Sequence, residues 1–214
     1  GEMGLPLRLV AAVNENDIVK RTMESGKFQT GESVVVSTSP SMDIQVPYNW
    51  ERVVYYASGG DVEGVKQFME QFEANPKNGA QMDSEWHKVL LSFLSSSSVS
   101  KADVAQITKA TYASDGYILD PHTAVGLKGY LNLDDSVNSN HWDPVVILST
   151  ATPHKFDESV KPTLGLDALP NVPTAFQGLD KLETFAKPMK KGEDWEASLR
   201  STIIDITKKR KQQH

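Results

Sequence analysis

Residues 145–156 read V-V-I-L-S-T-A-T-P-H-K-F. An apolar run that opens at once into hydroxyls, a proline and a lysine is the pattern of a buried strand delivering polar side chains to a pocket at its carboxyl end. Thr150 stands where such a strand stops. A neutral hydroxyl there can meet a ligand nitrogen that a carboxylate would protonate, and it can equally cap a backbone group at the strand end.

Working outward, the same strand-then-helix grammar repeats. Leu7 to Val13, L-R-L-V-A-A-V, predicts a mostly buried parallel strand, and Asn14 or Asn16 is placed to cap a helix carrying Ile18, Val19 and Met23 on one side until Gly26 stops it. Before it, Met3-Gly4-Leu5-Pro6 reads as the end of a helix and its turn, so a preceding helix is expected to be missing. Val34-Val35-Val36 suggests a short strand, and Asn49 an N-cap for Trp50 to Ala57. Three helices follow, with stripes at Val62, Val65, Phe68, Met69 and Phe72, at Trp86, Val89, Leu90, Phe93 and Leu94, and at Val104 and Ile107 behind a Ser100–Asp103 capping box. Ser95 to Ser98 reads as a turn, so these helices run on without a strand and predict an insertion.

Tyr117 to Leu119 predicts a third strand and Asp120-Pro121 the start of a helix reaching about Leu131. Asn138-Ser139-Asn140 reads as a flexible connection before Val145. Phe156 to Leu164 is expected to be helical, and residues 166–182 an irregular connection. A last helix begins near Gly192 with Trp195, Leu199 and Ile203 or Ile206 facing inward, its acidic start and Lys208 to Lys211 end matching the helix dipole. The organisation expected is α/β, with a sheet-domain segment over 1–60, a helical insertion over 61–115, the remainder of the sheet domain over 116–190 and a carboxyl-terminal helix over 191–214.

Composition narrows the chemistry. Among 214 residues there is no cysteine, which excludes disulfides, thiolate nucleophiles and cysteine-ligated metals. The five histidines, at 87, 122, 141, 154 and 214, never take helical metal-ligand spacing, so no metal site is expected. A formal charge of −6 argues against nucleic acid or anionic membrane as a general partner. No apolar run approaches a membrane span and no secretory signal is read, so the expected location is the cytoplasm.

If the strands at 7–13, 117–119 and 145–148 lie in one parallel sheet, their carboxyl ends bring together Asn14 to Asp17, Asp120 to Thr123 and Ser149 to His154. Thr150 is the first candidate contact. Asn14, His122 and Lys155 are weaker pocket candidates: Asn14 offers an amide at a helix start, where ordinary capping is the plainer role. His122 lies in a first helical turn whose dipole favours the neutral ring, and Lys155 beside His154 could bind an anion. No glycine-rich dinucleotide loop is present.

Four strings in order, G-L-P-L-R-L-V-A-A-V-N-E-N-D-I-V at 4–19, S-P-S-M-D-I-Q-V-P-Y-N-W-E-R at 39–52, Y-I-L-D-P-H-T-A-V-G at 117–126 and L-S-T-A-T-P-H-K-F at 148–156, resemble the carboxyl-terminal half of the threonine synthase family and its threonine synthase-like relatives. The resemblance implies part of a fold-type II domain that uses pyridoxal 5'-phosphate: a parallel sheet, flanking helices and a helical insertion. It implies a parent enzyme that turns O-phosphohomoserine into threonine and phosphate. The alternatives are a phospholyase yielding 2-oxobutanoate, nearest which the P-M-K-K-G-E-D-W-E string at 188–196 stands, and a non-catalytic binding or signalling module derived from the same domain. Thr150 occupies the family's position for the cofactor's pyridine nitrogen. Thr152 and His154 depart from the family's A-H-P-x-K-F.

The family's Schiff-base lysine and its glycine- and asparagine-rich phosphate loop lie upstream of the matched strings and have no counterpart in this sequence. The resemblance therefore implies that no catalytic residue is carried here, that the cofactor is not retained, and that the chain alone is inactive. Its expected partners are the missing amino-terminal portion of the enzyme and, through the face left uncovered, a second copy of itself.

Overall fold

A computed structural model describes residues 7–133 and 144–211; the Met3–Pro6 turn and the Asn138–Asn140 connection lie outside them. The chain separates into two units, residues 1–171 and 172–214.

In the first unit, strand β1 (Leu9–Val13) leads into helix α1 (Ile18–Ser25). Asp17, not Asn14 or Asn16, takes the N-cap position of α1, and Gly26 ends it in the left-handed conformation at φ 71° that glycine adopts without strain. A two-residue strand β2 (Lys27–Phe28) pairs antiparallel with β3 (Ala80–Gln81). Between them lie a 3-10 turn at Pro40–Met42, α2 (Trp50–Ala57) and α3 (Val62–Ala74). The V-V-V strand does not form: the stretch is irregular and its three valines are exposed. Asn49 precedes α2 without a side-chain cap, because its Oδ1 accepts from Arg52 instead.

Next come α4 (Ser84–Phe93), β4 (Leu94–Ser98) and α5 (Lys101–Asp115). The serine run is therefore a strand and not a turn, and the helices of 61–115 are interrupted by it. β4 runs parallel to β1 in the register Leu9↔Leu94 to Val13↔Ser98, and the Val99 amide extends the ladder to the Val13 carbonyl at 2.9 Å. Serine is a poor strand former, but backbone pairing with β1 and burial of Leu94 and Val99 on either side override that preference. The Ser100–Asp103 capping box is present at the start of α5.

Helix α6 (Pro121–Leu131) packs on β1, and glycine permits the close approach: a Cβ at Gly129 would sit 2.5 Å from that of Ala12. A 3-10 turn at Pro153–Phe156 leads into α7 (Asp157–Leu164). One core cluster gathers Phe28, Trp50, Val54, Phe68, Phe72 and Leu90; a second gathers Val99, Val104, Leu119, Ala124 and Val125.

Two further expected strands are not formed. Residues 117–119 are irregular, with Leu119 buried in the second cluster and Tyr117 turned to solvent. Residues 145–148 are also without ladder, and Val146 and Leu148 are 78% and 77% exposed. A strand exists only through a neighbour, and neither segment has one beside it among the described residues.

The second unit contains 3-10 turns at Thr174–Phe176 and Leu179–Lys181, followed by α8 (Trp195–Lys211). Trp195, Leu199 and Ile203 or Ile206 are the residues expected to face inward, yet all four are about half exposed. The stripe has helical spacing, but spacing alone supplies no surface to bury it against.

Candidate ligand crevice

Asn14 ends β1 and is fully buried. Its Nδ2 lies 2.9 Å from Ser37 Oγ, 3.1 Å from Ser39 Oγ and 2.7 Å from Asp43 Oδ1, while its Oδ1 accepts from the Asn16 backbone at 2.9 Å and from Asn16 Nδ2 at 3.1 Å. Asn16 then treats Val35 as a strand would: its Oδ1 accepts from the Val35 amide at 2.9 Å and its Nδ2 donates to the Val35 carbonyl at 2.8 Å. This pairing occupies the backbone that the V-V-V strand would have offered to a neighbour.

Asp43 closes the network. It accepts from the Ser37 amide at 2.9 Å and the Ser37 hydroxyl at 2.6 Å. Burial pushes its carboxyl up, but the hydrogen bonds from Ser37 and Asn14, with His122 nearby, outweigh this and hold it below the ordinary aspartate value.

His122 reaches the same loop from α6. Its Nε2 accepts from the Ser41 amide at 3.3 Å, so the ring proton sits on Nδ1, which donates to Asp120 Oδ1 at 3.1 Å. Asp120 also accepts from the backbone amides of His122 and Thr123 and from the Thr123 hydroxyl, so the helix cap and the histidine's orienting group are one carboxylate. The Phe156 ring lies against His122 with centroids 4.7 Å apart.

Thr150 is exposed, and its hydroxyl makes no hydrogen bond among the described residues. The extended segment before it passes α6 at Gly126, where an added Cβ would meet Ile147 Cγ2 at 3.3 Å. Lys155 is exposed on the 3-10 turn, while His154 lies 3.1 Å from Thr152 Oγ1 and 3.1 Å from the Pro170 carbonyl. Thus the structure joins Asn14 and His122 through the loop 37–43, and joins His122 to the turn bearing Lys155 through Phe156. A separate cleft between α5 and α7, lined by Thr38, Thr108 and Thr163 among others, holds about 70 Å³. Cofactor-sized pockets run to roughly 300 Å³ and above.

Sequence reasoning placed Asn16 in the Asn14 to Asp17 segment but missed Ser37, Ser39 and Asp43 as members of this assembly. The available signal was an aspartate two residues before Gln45 in a loop otherwise dense in hydroxyls, close to a buried asparagine pair. No cluster of three or more histidine or acidic side chains capable of holding a metal occurs among the described residues.

A parallel strand pair flanked by helices, with an irregular, hydroxyl-rich loop at the end of β1, makes this an α/β fold. Residues 123–201 match the family described as threonine synthase, C-terminal. The threonine synthase-like 2 of Homo sapiens is 36% identical over 208 residues, an alignment covering 97% of this chain and 41% of that protein. The threonine synthase of Pseudomonas aeruginosa is 33% identical over 182 residues, covering 85% and 37%. Among solved structures, the yeast threonine synthase superposes with a TM-score of 0.79 at 28% identity, covering 95% of this chain and 43% of that one. The threonine synthase of Brucella melitensis, solved with pyridoxal phosphate bound, superposes at 0.74 with 33% identity, covering 85% and 37%. Over nearly its whole length the chain corresponds to the carboxyl-terminal portion of the threonine synthases and threonine synthase-like proteins, and it spans about two fifths of the length of the relatives it matches.

Proposed function

We propose that this chain is the carboxyl-terminal part of a cytoplasmic, pyridoxal phosphate-dependent enzyme of the threonine synthase type, acting on O-phosphohomoserine, and that the 214 residues alone are inactive. The observation that carries the reading is Thr150: in the family's S-T-A element it presents an exposed hydroxyl with no competing partner among the described residues.

The residues present fit one end of the cofactor. A neutral hydroxyl suits a pyridine nitrogen, whereas the aldehyde end needs an amine held in a pocket, and every described lysine is exposed or only partly buried. When bound, pyridoxal phosphate supplies the electron sink for removing a proton beside the substrate nitrogen. Thr150 would hold the ring nitrogen through its neutral hydroxyl, which has no charge to draw a proton onto it. The loop 35–43 and the ring of His122, which accepts from the Ser41 amide, form the wall at the end of β1. Lysine and phosphate cradle come from the remainder of the parent enzyme, which is the partner this reading requires. No described helix is long and apolar enough to cross a membrane.

Reducing the purified chain with borohydride in the presence of pyridoxal phosphate tests the reading, alongside phosphate release from O-phosphohomoserine. No stoichiometric adduct and no release are expected; a single-lysine adduct with turnover overturns it. Adding the separately produced amino-terminal portion of a family member is expected to bring phosphate release, with threonine as product. Release of 2-oxobutanoate and ammonia instead would assign the phospholyase reaction.

A further inference from the structure

The four polar residues Asn14-Glu15-Asn16-Asp17 each hold a different piece of the fold. Asn14 holds Ser37, Ser39 and Asp43; Glu15 accepts from the Lys101 amide at the start of α5 at 3.0 Å; Asn16 pairs with the Val35 backbone; Asp17 receives Arg21 Nε at 2.8 Å. From the other side, His122 accepts from Ser41. The loop 35–43 has no ladder of its own, yet Asn16, His122 and its own Ser37 and Asp43 side chains bond its backbone, while Asn14 bonds its side chains. Val36 remains 82% exposed on it.

We infer that Asn14, Asn16 and Asp43 are positioning residues, which clamp the loop 35–43 as a preformed wall of the crevice at the carboxyl end of β1 and present its outer edge, Val36 included, to the ligand. The amides of Asn14 and Asn16 are spent on the protein itself. A loop carrying its own hydrogen-bonded lattice keeps one conformation without a ligand to order it, so the wall is ready before binding. Asp43 is the keystone because it only accepts. Asn14 Nδ2, Asn16 Nδ2 and the Ser37 hydroxyl converge on one oxygen, and the Ser37 amide points at the other.

The role as a crevice wall rests on the function proposed above; the clamp does not, and the experiment separates them because it needs neither cofactor nor substrate. Hydrogen–deuterium exchange is followed by mass spectrometry in the full chain and in Asn16→Ala and Asp43→Asn. Asparagine at 43 is nearly isosteric but turns an NH2 group toward donors, so a packing role predicts no change while the clamp predicts release. Peptides spanning 33–44 are expected to exchange about tenfold faster in both variants, roughly the effect of one lost buried hydrogen bond. Peptides spanning Phe68 to Phe72 and Leu90 should keep their wild-type rates. Loop exchange unchanged in Asp43→Asn overturns the inference, and so does a loop and core that accelerate together.

Discussion

Asp43 shows at the scale of one residue how a charge is kept on a loop that has no secondary structure. Hydrogen bonds from Ser37 and Asn14 favour the ionised form more than partial burial opposes it, so its pKa lies lower in the folded chain than in the unfolded one. The sign follows directly: its contribution is complete above the unfolded value, near pH 4, and is lost only as the pH falls through the depressed folded value. Chemical denaturation of wild type and Asp43→Asn should therefore differ by a constant amount, about 1–3 kcal/mol for the donors left unpaired, from neutrality down to about pH 4. The difference should shrink below that. A difference that grows on acidification contradicts the network. Phe28 is the corresponding keystone of the apolar side, fully buried with its ring 4.3 Å from that of Phe72 and 6.0 Å from that of Phe68. Phe28→Ala should cost about 3–5 kcal/mol in the same measurement.

At the scale of elements, the contact between β1 and α6 sets where the α6 N-terminus and His122 stand relative to the end of the strand. Gly129 makes that contact possible. Gly129→Ala places a methyl 2.5 Å from Ala12 Cβ and 3.3 Å from Ala12 Cα, so helix and strand must separate. The helix-propensity gain of alanine, about 1 kcal/mol, is opposed by overpacking of about 1–3 kcal/mol. A net loss of stability is expected in thermal melting, where an exposed helical glycine would show a gain. The start of α5 offers a cleaner element-level test. Ser100 and Asp103 bond reciprocally, and Ser100→Ala should cost about 1 kcal/mol.

At the scale of the whole molecule, the largest uncovered apolar residues fall in recognisable groups. Val145, Val146 and Leu148 lie on a segment with no partner strand among the described residues, and Trp195, Leu199, Ile203 and Ile206 form one stripe of α8. Soluble chains rarely leave such groups open without a surface to meet them. Sedimentation velocity over a range of concentrations should show reversible self-association of this chain, and the amino-terminal portion of a family member, supplied in trans, should suppress it. A monomer at all concentrations would instead favour an autonomous module.

The amino-acid sequence determined the helices, because their signals are local: stripes of helical spacing over Val65–Phe72, caps at Asp61, Ser100 and Asp120, and a glycine stop at Gly26 each act within a turn or two of chain. The resemblance to the threonine synthases was legible too, through four strings in order. Only the tertiary structure decided the strands. Four serines became β4 because β1 lay beside them, whereas V-V-V and V-V-I-L, with far better strand propensity, did not form ladders. The first lost its backbone to Asn16, and the second has no strand alongside it among the described residues. Nor could spacing reveal that Asn14, Asn16, Ser37 and Asp43 meet, since a hydrogen-bond network joins residues distant in the chain and leaves no period to read. Helices satisfy their own backbone, while strands and polar networks are satisfied by partners from elsewhere, so they are settled only when the chain has closed on itself.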